Sequence, residues 1–378
     1  MGGGKELRDG IDSHDIISFD IFDTLLMRKT LVPEDVFLIL EDRAARAGYA
    51  VENLARIRVE EQLKLFNPDL REIYEAVQSV TGITDEVRDH LMNLEITIEK
   101  SVLMPRATVA EAFHYAVKAG KKVYIVSDMY IPARILSEIL EDAGMTGFEE
   151  VIVSCDYKKL KMQGLFSVLK EKTSEAHKVL HIGDNPINDI KFAAEEGFDT
   201  FWVSSAAELY KKSLYAKKVP VDQKNVNTRS LLGLLIARLY NDPFVAENPQ
   251  RAYKIETIED FAASFVAPII TSFVTWMYQQ ISADTYDGIL FAARDGFLIK
   301  DLYELICQEY GGTEVPGYYF LTSRAAASSA SVTDEDSLSR VLGTYRYAGL
   351  DDSTILEKRF GIADGRIEPS LLIRRSGE

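Results

Sequence analysis

The chain has 378 residues, room for two or three domains, and its 47% hydrophobic and 27% charged content excludes a largely disordered or low-complexity polypeptide. Lys and Arg total 43 against 59 Asp and Glu, a net charge of −16 that repels phosphate backbones and anionic lipid, so nucleic acid and membrane surfaces are poor partners. Two cysteines, Cys155 and Cys307, are too few for a disulfide framework, and with no signal peptide ahead of the first apolar run the expected compartment is the reducing cytoplasm.

In chain order, Met1-Gly2-Gly3-Gly4 reads as a flexible tail, with structure expected from about Asp15. Ile16, Ile17 and Phe19 form a buried strand that ends at Asp20 and empties into the loop Phe22-Asp23-Thr24-Leu25-Leu26. Pro33, with Glu34 and Asp35 beside it, opens a helical region over 31–102, where apolar residues such as Val36, Phe37 and Leu40 recur at helical spacing. After Pro105 the pattern alternates. Helices are expected over 109–117 and 132–143, and strands at 123–126, 151–153, 179–182 and 200–203. Alternation of this kind predicts a doubly wound, Rossmann-like α/β fold with a parallel sheet and right-handed crossovers, the helical region being an insertion after the first strand. The expected core is 11–30 with 103–215, the insertion 31–102, and a linker and helix 216–250.

A second, partly helical α/β unit is expected over 251–378, with strands at 288–293 and 318–321 leading into Arg294-Asp295-Gly296 and Thr322-Ser323-Arg324. It looks short of strands. Within it, 261–283 carries no formal charge and is long enough to span a bilayer. Ser264, Thr271, Ser272, Thr275, Gln279 and Gln280 within the run, Pro268 near the middle and acidic Glu259 and Asp260 in front favour the buried helix of a soluble unit instead.

In doubly wound folds ligands sit at the carboxyl ends of the strands. Past the first strand stand Asp20, Asp23 and Thr24; past the second, Ser127 and Asp128; past the third, Lys158, Lys159 and Lys161; past the fourth, Asp184 and Asp189. Carboxylates brought together repel one another and raise each other's pKa unless a cation lies among them, and a hard divalent ion, Mg²⁺ first, suits oxygen ligands.

Phe19-Asp20-Ile21-Phe22-Asp23-Thr24-Leu25, Ser127, Lys161 and Gly183-Asp184-x-x-x-x-Asp189 resemble, in order, the four signature motifs of the haloacid dehalogenase superfamily of hydrolases, over about residues 11–215. The resemblance implies that Asp20 is the nucleophile of an aspartyl intermediate and that Ser127 and Lys161 hold the phosphoryl oxygens. It also implies that Mg²⁺ is held by Asp20, Asp184, Asp189 through water, and the backbone carbonyl of Phe22, under a helical cap of the C1 type. More narrowly, Arg56-x-x-x-Glu60, Glu95-x-x-x-Glu99, Ser127-Asp128-Met129-Tyr130, Arg294-Asp295-Gly296 and Ser323-Arg324 resemble a bacterial branch of predicted hydrolases found near polysaccharide-biosynthesis enzymes. A small phosphorylated substrate such as a sugar phosphate, and association with carbohydrate-pathway enzymes, are the expectations that follow.

One position departs from the pattern. Family phosphatases carry a second Asp two places after the nucleophile to protonate the leaving oxygen; here Phe22 stands there and can donate nothing. Acid–base assistance is worth about 10²- to 10⁴-fold, which leaves three readings: Asp23 or a cap residue substitutes, the substrate has a good leaving group, or the site binds without turnover. A dehalogenase would not need the metal carboxylates. Among the remaining residues, Asp23 reads first as a helix N-cap, Asp128 as a cap for the helix starting at Pro132, and His181 as a packed core histidine. Lys158 and Lys159 read as solvated charges, and Arg56 with Glu60 as an i,i+4 pair. Arg28 reads equally as an anion contact or a surface ion pair. For Arg294-Asp295-Gly296 and Ser323-Arg324 an anion site and a loop turn with a buried Arg–Asp pair both stand.

Overall fold

A computed structural model describes residues 3–173, 178–213, 216–217, 226–244, 255, 257–310, 315–343 and 350–362. The chain divides into two compact units, Met1–Glu256 and Thr257–Glu378. The first is built on five parallel strands in the order β5-β4-β1-β6-β7, where β1 is Ile16–Phe19, β4 Lys122–Ser127, β5 Glu150–Val153, β6 Val179–Gly183 and β7 Asp199–Trp202. All residues of β1 and β6 are buried, as continuous apolar strands in a sheet covered on both faces must be. One face packs on α6 (Ala107–Lys118) and α7 (Ala133–Asp142) through Phe113, Leu136 and Leu140; the other packs on α9 (Leu165–Lys172) through Phe166 and Leu169. The fold is therefore the mixed α/β, parallel-sheet architecture that the alternation predicts.

The start of the chain differs from expectation. Gly3–Asp12 forms helix α1, not a tail, and buries Leu7 and Ile11 against the sheet's first cluster. Leu7 and Ile11 lie one turn apart while Lys5, Glu6, Arg8 and Asp9 face outward, so the helix is held by docking in spite of its glycines.

Between β1 and β4 the loop expected after Asp20 yields a short antiparallel ribbon, β2 (Leu26–Arg28) with β3 (Leu103–Pro105), in which Leu26 pairs with Pro105 and Arg28 with Leu103. Three residues per strand are too few to show alternation. The ribbon brackets four helices, α2 (Asp35–Arg46), α3 (Leu54–Lys64), α4 (Leu70–Thr81) and α5 (Asp85–Val102), packed around Val36, Leu40, Leu54, Tyr74 and Leu91. Asp69 opens α4 with a capping box to Glu72. Within this bundle Arg58 and Glu95 form an ion pair with both side chains fully buried, and Tyr74 Oη donates to Glu95 at 2.6 Å. Arg56 and Glu60 form the expected exposed i,i+4 pair. The insertion touches the core through Asn67 Nδ2, which donates to the Ser154 carbonyl at 2.8 Å, and through Lys158, which pairs with Glu72. Lys158 is thus a bridge to the insertion and not a free solvated charge.

Downstream, the helix Val226–Leu239 lays Leu232, Ile236 and Ala237 against Met27 of the ribbon. Gly233 is required there, because a Cβ would come within 2.3 Å of the Thr30 carbonyl carbon. Much of the expected linker, residues 218–225 and 245–250, lies outside the described residues.

The second unit holds a helix Ile258–Ser282 and two parallel strands, β8 (Ile289–Ala292) and β9 (Gly317–Phe320), joined through the helix Gly296–Tyr310. The helix Ile258–Ser282 is not the buried element that its composition suggests. Ile269 is 70% and Trp276 55% exposed, and of residues 267–282 only Val274 is buried. The described core of this unit is small, centred on Val274, Phe291, Tyr303 and Cys307, so it covers one stripe of the helix and no more. Arg294 and Asp295 are both exposed, which removes the buried-pair reading, and Ser323 is an N-cap whose Oγ accepts from Ala326 N at 3.1 Å.

Candidate active site

Asp20 leaves the end of β1 with its amide donating to Ile182 O on β6 at 2.9 Å, which fixes its position between two central strands. The chain then turns tightly: Leu25 N and Leu26 N both donate to Ile21 O, and Asp23 takes a left-handed conformation with φ of 58°. Lys161 starts a single 3₁₀ turn, Lys161–Gln163, and its amide donates to Asp128 Oδ1 at 2.8 Å. Past β6, Asn185 caps the π-helical turn Pro186–Lys191, which carries Asp189 back toward the strand end, where its Oδ2 accepts from Asn185 N at 2.9 Å. Gly183 makes this return possible. A Cβ there would lie 2.4 Å from the Asp189 carboxyl carbon.

These turns bring Asp20, Asp184 and Asp189 together, with one carboxylate oxygen of each inside a common 4.8 Å span. Lys161 Nζ donates to Asp20 Oδ1 at 2.6 Å and to Asp189 Oδ1 at 2.5 Å, and all three groups are buried. His181 stands behind them, Nε2 3.5 Å from Asp189 Oδ1 and Nδ1 2.6 Å from Ser18 Oγ. Burial pushes the Asp20 carboxyl up to about 7 against the pull of the Lys161 ammonium, with repulsion from Asp189 adding to the rise. Burial, then repulsion from Asp20, Asp23 and Asp189, pushes Asp184 up to about 8. For Asp189 burial acts in the same upward sense, but Lys161 and His181 together hold it below the usual carboxylate range. Burial favours the neutral form of His181.

The donor set fits a hard divalent cation: three carboxylates within reach of one point, two of them at a pKa raised by burial and by repulsion from neighbouring carboxylates, and the Phe22 carbonyl, to which no described residue donates. Of the residues read from sequence, Asp20, Lys161, Asp184 and Asp189 come into contact. Ser127 is buried at the end of β4 beside β1, and no hydrogen bond joins its hydroxyl to the others. The Phe22 ring packs on the core with the Arg28 guanidinium 4.3 Å from its centroid.

Several roles differ from expectation. Asp23 caps no helix, since β2 and not a helix follows it; it lines a cavity, and burial raises its pKa in spite of Arg28 and Arg106. Asp128 holds the Lys161 backbone, whereas the helix after Pro132 is met by Asp156, whose Oδ2 accepts from Ala133 N at 2.9 Å. Arg28 forms a bidentate pair with Glu99 that is nearly buried. Sequence reasoning missed Arg106, fully buried, whose Nη1 donates to the Asp23 carbonyl at 2.5 Å and so fixes the turn after Asp20. A single arginine at a helix start carries no pattern that could have announced this. A cavity of about 550 Å³ opens between insertion and core, walled by Phe22, Asp23 and Asp128 on one side and Phe37, Val59 and Glu99 on the other.

Residues 41–203 match the family model of haloacid dehalogenase-like hydrolases. Over that stretch the chain is similar to haloacid dehalogenase-like hydrolases. The match spans most of the helical insertion and the core through β7, and it begins after the Asp20 turn. No curated protein matches the chain. Among solved structures, a haloacid dehalogenase phosphatase from Thermococcus onnurineus is 16% identical, over 50% of this chain and 86% of its own, with a TM-score of 0.36. A predicted phosphoglycolate phosphatase from Haemophilus somnus is 14% identical over 51% and 86%, with a TM-score of 0.34. A family enzyme from Bacteroides thetaiotaomicron in complex with magnesium and inorganic phosphate is 15% identical over 51% and 95%, with a TM-score of 0.34.

Proposed function

We propose that the first unit is a Mg²⁺-dependent phosphatase-like hydrolase acting on a small phosphorylated metabolite such as a sugar phosphate, with α2–α5 as its cap. The observation that carries this reading is the contact of one ammonium, Lys161, with two of three clustered carboxylates at the strand ends. In it Asp20 attacks phosphorus: a bond forms from its carboxylate oxygen to phosphorus, the bond from phosphorus to the leaving oxygen breaks, and water later hydrolyses the aspartyl phosphate. Lys161 keeps Asp20 ionised and offsets charge on the phosphoryl oxygens, while Asp189, oriented by Asn185 N and His181, holds Lys161 in place. Ser127 lies on the strand beside β1 where its hydroxyl can bind a phosphoryl oxygen. Mg²⁺ held by Asp20, Asp184, Asp189 and the Phe22 carbonyl supplies electrostatic stabilisation of the transferring group. Phe22 donates no proton to the leaving oxygen; Asp23, a carboxyl on the cavity wall whose pKa burial raises, takes that role in this reading.

The test is hydrolysis of an aryl phosphate with Mg²⁺, because a good leaving group needs no acid. Turnover abolished by Asp20→Asn supports the reading. Phe22→Asp should raise alkyl phosphate hydrolysis by at least about tenfold if the displaced acid limits it. Phe22 itself favours a second reading, a metal-dependent binding module without turnover in a carbohydrate-assembly pathway, which absence of turnover on aryl, acyl and sugar phosphates would support. The acidic charge and the paucity of cysteine support a small-molecule partner and a cytoplasmic setting.

A further inference from the structure

We infer that the cavity walled by Phe22, Asp23 and Asp128 selects phosphate monoesters whose organic part is hydroxyl-rich and uncharged or cationic, and disfavours those bearing a second anion. This deepens the phosphatase reading and rests on it. The charged groups in the cavity wall are Asp23, Glu34, Glu99, Asp128 and Arg28. Glu99 takes Arg28 out of the balance, accepting from its Nε and Nη2 at 3.0 and 2.9 Å. Glu34 and Asp128 then face the space with no uncommitted cation among the wall residues, and Asp23 adds a third negative charge once it has given up its proton. Lys161, the one ammonium beside Asp20, is shared with Asp189 and is needed by the reacting phosphate. A carboxylate or second phosphate on the substrate would therefore sit among like charges in a confined space, whereas hydroxyls can donate to the wall carboxylates and accept from Arg28 Nη1, which Glu99 leaves unused. Phe37 and Tyr130 add aromatic surface suited to the apolar face of a sugar ring. At about 550 Å³ the cavity lies within the range of small-molecule sites.

The probe is a matched triad: glucosamine 1-phosphate, glucose 1-phosphate and glucuronic acid 1-phosphate, which share a ring and a phosphate and differ by one charge. With the full chain, Mg²⁺ and low salt, each is used as a competitor of aryl phosphate hydrolysis, so its inhibition constant reads binding whether or not it is itself hydrolysed. The expected order is amine tightest and carboxylate weakest, the last about tenfold or more behind the first. Glu34→Lys should shrink that ratio, because Glu34 is exposed at the cavity rim and its side chain is bonded to no described residue. Equal or tighter binding of the glucuronic acid ester, or a ratio unmoved by Glu34→Lys, overturns the selectivity while leaving the phosphatase reading standing. Absence of aryl phosphate turnover overturns both.

Discussion

At the scale of single residues, the site is governed by unbalanced charge. Asp20 and Asp184 are pushed to about 7 and about 8 because burial and mutual repulsion outweigh one shared ammonium. An acid whose folded pKa lies above its unfolded value contributes stability that is full below the unfolded pKa and lost as pH rises to the folded pKa, so the metal-free protein should lose stability between about pH 4 and 8 and change little above that. Mg²⁺ binding must expel those protons at pH 6 but not at pH 9. The gain in melting temperature on adding Mg²⁺ should therefore grow with pH across this window, which differential scanning fluorimetry reads directly; a gain independent of pH would contradict the assignment of these carboxylates as ligands. Gly183 gives a second prediction. Gly183→Ala places a methyl 2.4 Å from the Asp189 carboxyl carbon, so Asp189 must move, and the Mg²⁺ concentration for half-maximal activity should rise by about tenfold or more while the fold survives by circular dichroism.

At the scale of elements, the helical insertion is organised around a charge that cannot reach water. Arg58 is fully buried with Glu95 as its carboxylate partner, and the rings of Phe37 and Tyr130 each lie 4.7 Å from its guanidinium carbon. Removing one partner strands the other, so Glu95→Ala should destabilise the first unit by about 3–5 kcal/mol in denaturant unfolding, whereas replacing both Arg58 and Glu95 by apolar residues of similar volume should cost far less. These positions sit on α3 and α5, both inside the region 31–102 read as helical. That α3 faces α5 through an Arg–Glu pair could not be read, because Arg56-x-Arg58-x-Glu60 offers an adequate local explanation within one helix.

At the scale of the molecule, the candidate site lies wholly in the first unit, with the Asp20 turn, Lys161, the clustered carboxylates and the cavity all before residue 257. Residues 1–256 expressed alone should therefore fold and retain aryl phosphate turnover within about threefold of the full chain; loss of Mg²⁺ binding in that fragment, measured by calorimetry, would show that the second unit completes the site. In the second unit the helix Ile258–Ser282 shows how composition can mislead. Its hydropathy suits a buried helix, yet the described core covers only the stripe containing Val274.

Much was legible in the sequence because much of it is local. Apolar runs between helical segments dictate parallel strands and the strand ends dictate which polar residues share an edge, while the choice of Asp20, Ser127, Lys161, Asp184 and Asp189 among them rests on the motif resemblance. Only the tertiary structure decided what each polar group near that edge is for. Asp23 faces a cavity because the turn ends in a ribbon, Asp128 serves a backbone amide 33 residues away, and Arg106 fixes the Asp20 turn from the start of α6. Such roles depend on which group a side chain meets once the chain has closed on itself, and hydrogen bonds and ion pairs between distant segments leave no periodic trace along the sequence.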